Sequence, residues 1–133
     1  RINDLSLHDK VMLTGFLTDE ERDQLYVVAD VCVFPSRYEP FGIVALESMA
    51  AGTPVVVSNV GGLGTVVQHE QTGLTTYAED IYSLGQAIVR VLTDPQTASA
   101  RATLAQKYVE DCLAWPVIAG MTRDLYRAVL GAR

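Results

Sequence analysis

The sequence predicts an α/β domain built on a parallel sheet with helices on both faces. Three observations point there. Strand-like and helix-like segments alternate along most of the chain. The strand-like segments are short, unbroken apolar runs such as Val55-Val-Val57, not the alternating pattern of a sheet with one wet face. The first two runs also stop at Gly15 and Pro35, residues that end strands and open loops.

Val11-Met-Leu-Thr14 reads as the first strand. Thr18 then fits a helix N-cap, with Glu21 three residues on completing a capping box. That helix is expected to turn Leu25, Val28 and Ala29 inward and to end at Asp30. Val31-Cys-Val-Phe34 is a second strand. A loop leads into a helix from about Gly42 to a C-cap at Gly52. Pro54-Val-Val-Val57 is a third strand. Asn59 to Gly64 is a glycine-rich turn, followed by a short helical piece through Val67. Leu74 to Tyr77 makes a fourth strand. From Asp80 the period becomes helical, with Ile81, Leu84, Ile88, Val91 and Leu92 on one face. Asp94-Pro95 breaks that helix. The next carries Ala102, Leu104, Ala105 and Tyr108, and the last, from about Trp115, spaces Ile118, Met121, Leu125, Val129 and Leu130 helically. No repeat or internal boundary interrupts residues 1–133, which read as one domain.

Composition fits a packed core: 49% of the 133 residues are hydrophobic and 20% charged. The longest apolar runs are too short to span a bilayer, and no basic-then-apolar opening suggests a secretion signal. Cys32 and Cys112 read as reduced, buried thiols of a cytoplasmic protein, with a single disulfide as the alternative. The net charge of −6, with ten scattered Lys and Arg, disfavours nucleic-acid binding. No residues show metal-ligand spacing. An anionic ligand would need backbone amides, a helix N-terminus or cations from elsewhere.

In such sheets ligands sit beyond the carboxyl ends of the strands. The loop from Pro35 to Gly42 is one such place, and it carries Glu39, with Glu47 eight residues on. A helix starting near Gly42 offers the N–H groups of Gly42, Ile43 and Val44 to an anion, and Gly42 allows close approach. Glu47 lies among Val44, Leu46, Met49, Ala50 and Ala51, where a carboxylate is costly without a hydrogen-bond partner. Were both acids helical, they would lie ~80° apart in projection and ~12 Å apart along the axis. Amides between two acceptors match a ligand with hydroxyls, phosphate and hydroxyls in that order. A nucleotide-sugar is such a ligand, since a carboxylate accepts well from a vicinal diol. The plainer alternative is a half-exposed or Arg-paired Glu47 and a solvated Glu39.

Glu39-Pro-Phe-Gly42 followed by Glu47 resembles the E-x7-E motif of retaining glycosyltransferases, chiefly glycosyltransferase family 4 and the related glycogen, starch and sucrose synthases. Ala29-Asp-Val31, Pro35-Ser36, Met49-Ala-Ala-Gly52, Thr53-Pro-Val-Val56, Gly61-Gly62, Thr72-Gly-Leu74, Trp115 and Tyr126 fall where that family places them. The resemblance covers nearly the whole chain. It implies a Rossmann-like, donor-binding C-terminal domain of the GT-B fold. It also implies the reaction: a hexose passes from a UDP- or GDP-sugar to a hydroxyl of a glycan, lipid or small molecule, with retention and without a cofactor or metal. Glu39 would be the catalytic carboxylate, placing donor-sugar hydroxyls. Phe41, Gly42, Ile43 and Val44 would seat sugar and phosphates, Glu47 the ribose, and Gly15, Phe16 and Leu17 would lie beside the base.

Two departures stand out: Gly64-Thr65 replaces the family's usual Pro-Glu, and Gln68-His-Glu70 lacks the usual Asp-Gly. His69 and His8 read as surface residues. The resemblance also implies that two βα units and an N-terminal acceptor domain, with their phosphate-binding cations, lie outside this sequence. The Val11 strand is then expected to close against the Val31 strand or against another chain, making a dimer through the sheet edge. Location stays cytoplasmic, at most peripheral to a membrane. The rival readings are a nucleotide-sugar-binding module without chemistry and a nucleotide-sugar epimerase on a similar fold. A dinucleotide oxidoreductase fits poorly, because no G-x-G-x-x-G opens a strand–helix turn.

Overall fold

The structure, a computed structural model, describes residues 2–131. Its elements in chain order are α1 (Asp19–Val28), β1 (Cys32–Phe34), α2 (Ile43–Ala50), β2 (Val55–Ser58), α3 (Gly61–Val66), β3 (Leu74–Thr76), α4 (Ile81–Thr93) and α5 (Pro95–Tyr108). A π-helical turn (Val109–Leu113) and α6 (Trp115–Gly131) complete the list.

The three strands are parallel and lie in the order β1-β2-β3, with Val33 opposite Val56 and Val57 opposite Thr75. The central strand, β2, is buried at all four residues. Its side chains alternate between two apolar clusters, as a period of two demands. Val55 and Val57 meet Ala45 and Met49 of α2, Leu63 of α3 and Ala105 of α5 on one face. Val56 meets Leu74, Val91 of α4 and Ala98 of α5 on the other. Both faces of the sheet are therefore covered, as its unbroken apolar strands require.

Local chemistry sets the helix ends. Thr18 and Glu21 form the full capping box at α1: Thr18 Oγ1 accepts from Glu21 N and Glu21 Oε2 from Thr18 N. Asp80 caps α4 by accepting from the amides of Tyr82 and Ser83. Asp94 ends α4 and caps α5, whose first residue is Pro95, where the missing N–H costs nothing. Gly52 takes the left-handed conformation (φ 77°) just past α2.

Several expectations are corrected. Residues 11–14 form no strand and do not pair with β1; Met12 and Leu13 are exposed. A lone extended segment leaves its N–H and C=O groups unpaired, and the apolar run alone does not supply a neighbour. In α1, Leu25 and Val28 face outward, because the helix touches the rest of the domain chiefly through α2 and does so with Arg22 and Tyr26. Ile81 and Leu92 of α4 and Leu104 of α5 are exposed; of the residues expected on those faces Val91, Ala102 and Ala105 are buried, and Ala98 joins them. The glycine-rich turn is shorter than expected, since α3 begins at Gly61. In α6, Trp115, Met121, Leu125, Val129 and Leu130 are exposed, the helix packing mainly on the π-helical turn before it. Cys112 is exposed rather than buried, and Cys32 is half-buried; both are free thiols.

Candidate functional site

The loop after β1 and the turn before α3 are locked together backbone to backbone. Gly62 N–H donates to the Glu39 carbonyl at 2.8 Å. A side chain at Gly61 would place Cβ 2.2 Å from that same oxygen, and one at Gly62 would place it 2.2 Å from the Phe41 carbonyl carbon. Gly42 stands with φ 79° against Gly62 and Leu63. The glycine pair, which in sequence punctuates a turn and no more, is thus the surface on which the Glu39–Gly42 loop rests.

That contact aims the first turn of α2. Glu39 is half-buried, and its Oε1 accepts from Gly42 N–H at 3.3 Å. The Ala45 amide goes to the Gly42 carbonyl at 3.1 Å. No protein acceptor among the described residues takes the N–H of Ile43 or Val44. Two free amides remain at this helix N-terminus, beside a carboxylate, where an anion is favoured; the Gly42 amide, expected to join them, is taken by Glu39. Gly42 is buried, Val44 half-buried, and Phe41 (74%) and Ile43 (58%) are exposed.

Glu47, one turn further along α2, is half-exposed, not enclosed. Its Oε2 accepts from the Tyr26 hydroxyl at 3.4 Å and lies 3.6 Å from Arg22 Nε. The Arg-paired alternative is therefore part of the picture: α1 supplies the partner that the apolar context demanded. Oε1 of Glu47 has no partner among the described residues. Burial first, and the Glu47 charge second, push the Tyr26 phenol up to about 12.

Gly15 (φ 68°), Phe16 and Leu17 precede α1 in irregular backbone, not at a strand end. Phe16 is 97% exposed. Their link to Glu47 runs through α1, whose Arg22 and Tyr26 reach that carboxylate.

Residues that sequence reasoning passed over complete the surroundings. A cleft of about 220 Å³ opens over the strand ends, lined among others by Pro35, Ser58, Thr76 and Tyr77. Arg37 and Glu79, also in its lining, form an ion pair at 2.8 Å that joins the loop after β1 to the loop after β3. His69 is more than a surface turn residue, since its Nδ1 accepts from Thr75 N–H at 2.9 Å on the edge strand. Glu70 binds Arg90 and lies 3.5 Å from buried Arg101, and the Arg90 guanidinium holds its carboxyl below the usual range. Among the described residues no His, Cys, Asp or Glu cluster is arranged to hold a metal ion, and no helix is long and apolar enough to cross a membrane.

Residues 1–108 match the family description "Glycosyl transferases group 1". The chain belongs to that family. Glycogen synthase of Mycobacterium tuberculosis is 44% identical over 114 residues, which is 86% of this chain and 28% of the relative. Sucrose-phosphate synthase from Thermosynechococcus elongatus superposes with a TM-score of 0.89 at 40% identity, covering 99% of this chain and 33% of that one. The Anabaena protein HepE, solved with UDP-glucose, gives 0.87 at 28% identity over 96% of this chain and 35% of its own. The fold is that of the GT-B glycosyltransferases, and the chain spans about a third of the length of the relatives it matches.

Proposed function

We propose that this chain supplies the donor-binding part of a retaining hexosyltransferase. The enzyme would move a hexose from a UDP- or GDP-sugar to a hydroxyl of a glycan, lipid or small molecule. One observation carries the reading: along the chain two carboxylates, Glu39 bonded to the Gly42 amide and Glu47 bonded to Tyr26, come before and after the unpaired Ile43 and Val44 amides at the head of α2. Glu39 would accept from hydroxyls of the donor sugar, the two amides would meet the diphosphate, and Glu47 the ribose. Phe41 and Gly42 would line the sugar and phosphate seat, with Gly15, Phe16 and Leu17 beside the base. Membership of the glycosyltransferase family and the UDP-glucose complex of HepE support a nucleotide-sugar donor.

The chemistry that suits this arrangement is front-side transfer. The leaving diphosphate takes the acceptor proton while amides aimed at its developing charge stabilise it. Glu39 would position and not attack. Acceptor binding would need chain beyond residues 1–133, since these correspond to about a third of the relatives' length. Residues 1–133 alone are therefore expected to bind donor and to transfer nothing.

Titration calorimetry with UDP-glucose and GDP-mannose tests the reading. One of the two is expected to bind, Glu47→Gln to weaken it by about tenfold, and Glu39→Gln to weaken the sugar nucleotide more than the free nucleotide. No binding of either, or indifference to both substitutions, would defeat it. A donor-binding module without transfer is the second reading. It is favoured by the engagement of the nearby cations, Arg22 with Asp19 and Asp23 and Arg37 with Glu79. Product analysis on the intact protein separates the two, and an anomeric signal with retained configuration decides for transfer.

A further inference from the structure

We propose that Tyr26 is a positioning residue for Glu47, fixing one carboxylate oxygen so that the other is presented to a ribose hydroxyl. The inference rests on the donor-binding reading above and adds a residue to it.

Among the described residues the Glu47 carboxylate meets two polar side chains, Tyr26 and Arg22, and both reach the same oxygen, Oε2. The two partners are not equivalent. Arg22 also serves other acids: Nη1 binds Asp19 at 2.9 Å, Nη2 binds Asp23 at 2.8 Å, and Nε lies 3.2 Å from Asp23. Its hold on Glu47, at 3.6 Å, is shared and partly screened by water. Among the described residues the Tyr26 hydroxyl has Glu47 as its one hydrogen-bond partner.

Tyr26 is also fixed in place. Its ring meets Phe34 of β1 edge to face, with centroids 6.5 Å apart, and its carbonyl accepts from Thr53 Oγ1 at the entry to β2. The phenol therefore presents a proton from a fixed point on the sheet and α1 to a carboxylate on α2. A Glu side chain has three rotatable bonds, and orienting it before a ligand arrives removes an ordering cost from binding. With Oε2 held, Oε1 is the acceptor left open. At 3.4 Å the bond is long, so with Arg22 it biases the carboxylate's orientation rather than locking it, and Oε1, which neither partner reaches, keeps its capacity for a ligand hydroxyl.

A positioning role makes a demand that mere packing does not: it concerns the ribose hydroxyls alone. The test uses the intact protein with two matched pairs, UDP and 2′-deoxy-UDP, GDP and 2′-deoxy-GDP, taking the pair that binds wild type. Wild type is expected to prefer the ribonucleotide by about tenfold. Tyr26→Phe, which keeps the ring against Phe34, is expected to cut that preference to about threefold while leaving the deoxynucleotide affinity unchanged. In the Glu47→Gln background the Tyr26 substitution is expected to add nothing, because it acts through the carboxylate. Parallel weakening of both nucleotides by Tyr26→Phe, or full discrimination retained, overturns the inference even when Glu47→Gln abolishes discrimination. If Glu47→Gln itself leaves discrimination intact, or neither pair binds, the donor-binding reading falls and the inference with it.

Discussion

Gly62 stands under Glu39: its N–H donates to the Glu39 carbonyl at 2.8 Å, and a Cβ on it would lie 2.2 Å from the Phe41 carbonyl carbon. The obstructing atoms are backbone, so no rotamer change relieves the clash. Gly62→Ala is expected to push the Glu39–Gly42 loop off α3, lowering stability by about 1–3 kcal/mol and weakening sugar-nucleotide binding together. Thermal unfolding and a donor titration on the same sample check it. A variant with unchanged stability and affinity would contradict the packing described.

Glu70 sets an acid-side limit. Hydrogen bonds from Arg90 hold its carboxyl below the ordinary value of 4.5. A group depressed on folding contributes stability above its unfolded value and loses it as pH falls through the folded one. Denaturant unfolding is therefore expected to show weakening as pH drops below about 4.5. The side chain is 42% exposed, so screening leaves its share at about 0.5 kcal/mol. Glu70→Gln is expected to flatten that part of the acid limb. It also lowers stability at neutral pH by roughly 1 kcal/mol, because buried Arg101 loses a partner.

Tyr26 sets the alkaline limit. Its phenol is raised to about 12 from an ordinary 10.0, by burial first and by Glu47 after that. A group raised on folding leaves its stability intact below the unfolded value and loses it as pH climbs toward the folded one, here from 10 to 12. Absorbance at the phenolate band is expected to show one late-ionising component that vanishes in Tyr26→Phe. In Glu47→Gln it moves only part of the way back, since burial is the larger cause.

What could be read in the one-dimensional chain was what local chemistry decides. Thr18 with Glu21, Asp80, Asp94-Pro95 and Gly52 mark helix ends by hydrogen bonds or dihedral angles confined to a few residues; the structure places caps at the first three and puts Gly52 in the left-handed position just after the Ala51 cap. Val55–Val57 announced a strand covered on both faces because three consecutive apolar residues leave no wet side. The misses involve neighbours distant in sequence. Val11–Leu13 is apolar enough for a strand but has none to pair with among the described residues. Glu47 needed a partner, yet nothing local names Tyr26, 21 residues earlier; that pairing exists only because α1 lies on α2. Gly61-Gly62 looked like ordinary punctuation, and only the approach of another loop to 2.2 Å makes it obligatory.

The central strand carries one last consequence. Val55 to Ser58 are buried to the last residue and flanked by a strand on each side, whereas among the described residues β1 and β3 each have one neighbouring strand. Placed in heavy water, the molecule should exchange its α1 and α6 amides early and surrender those of β2 only through global opening. Four residues would then clock the lifetime of the whole folded state.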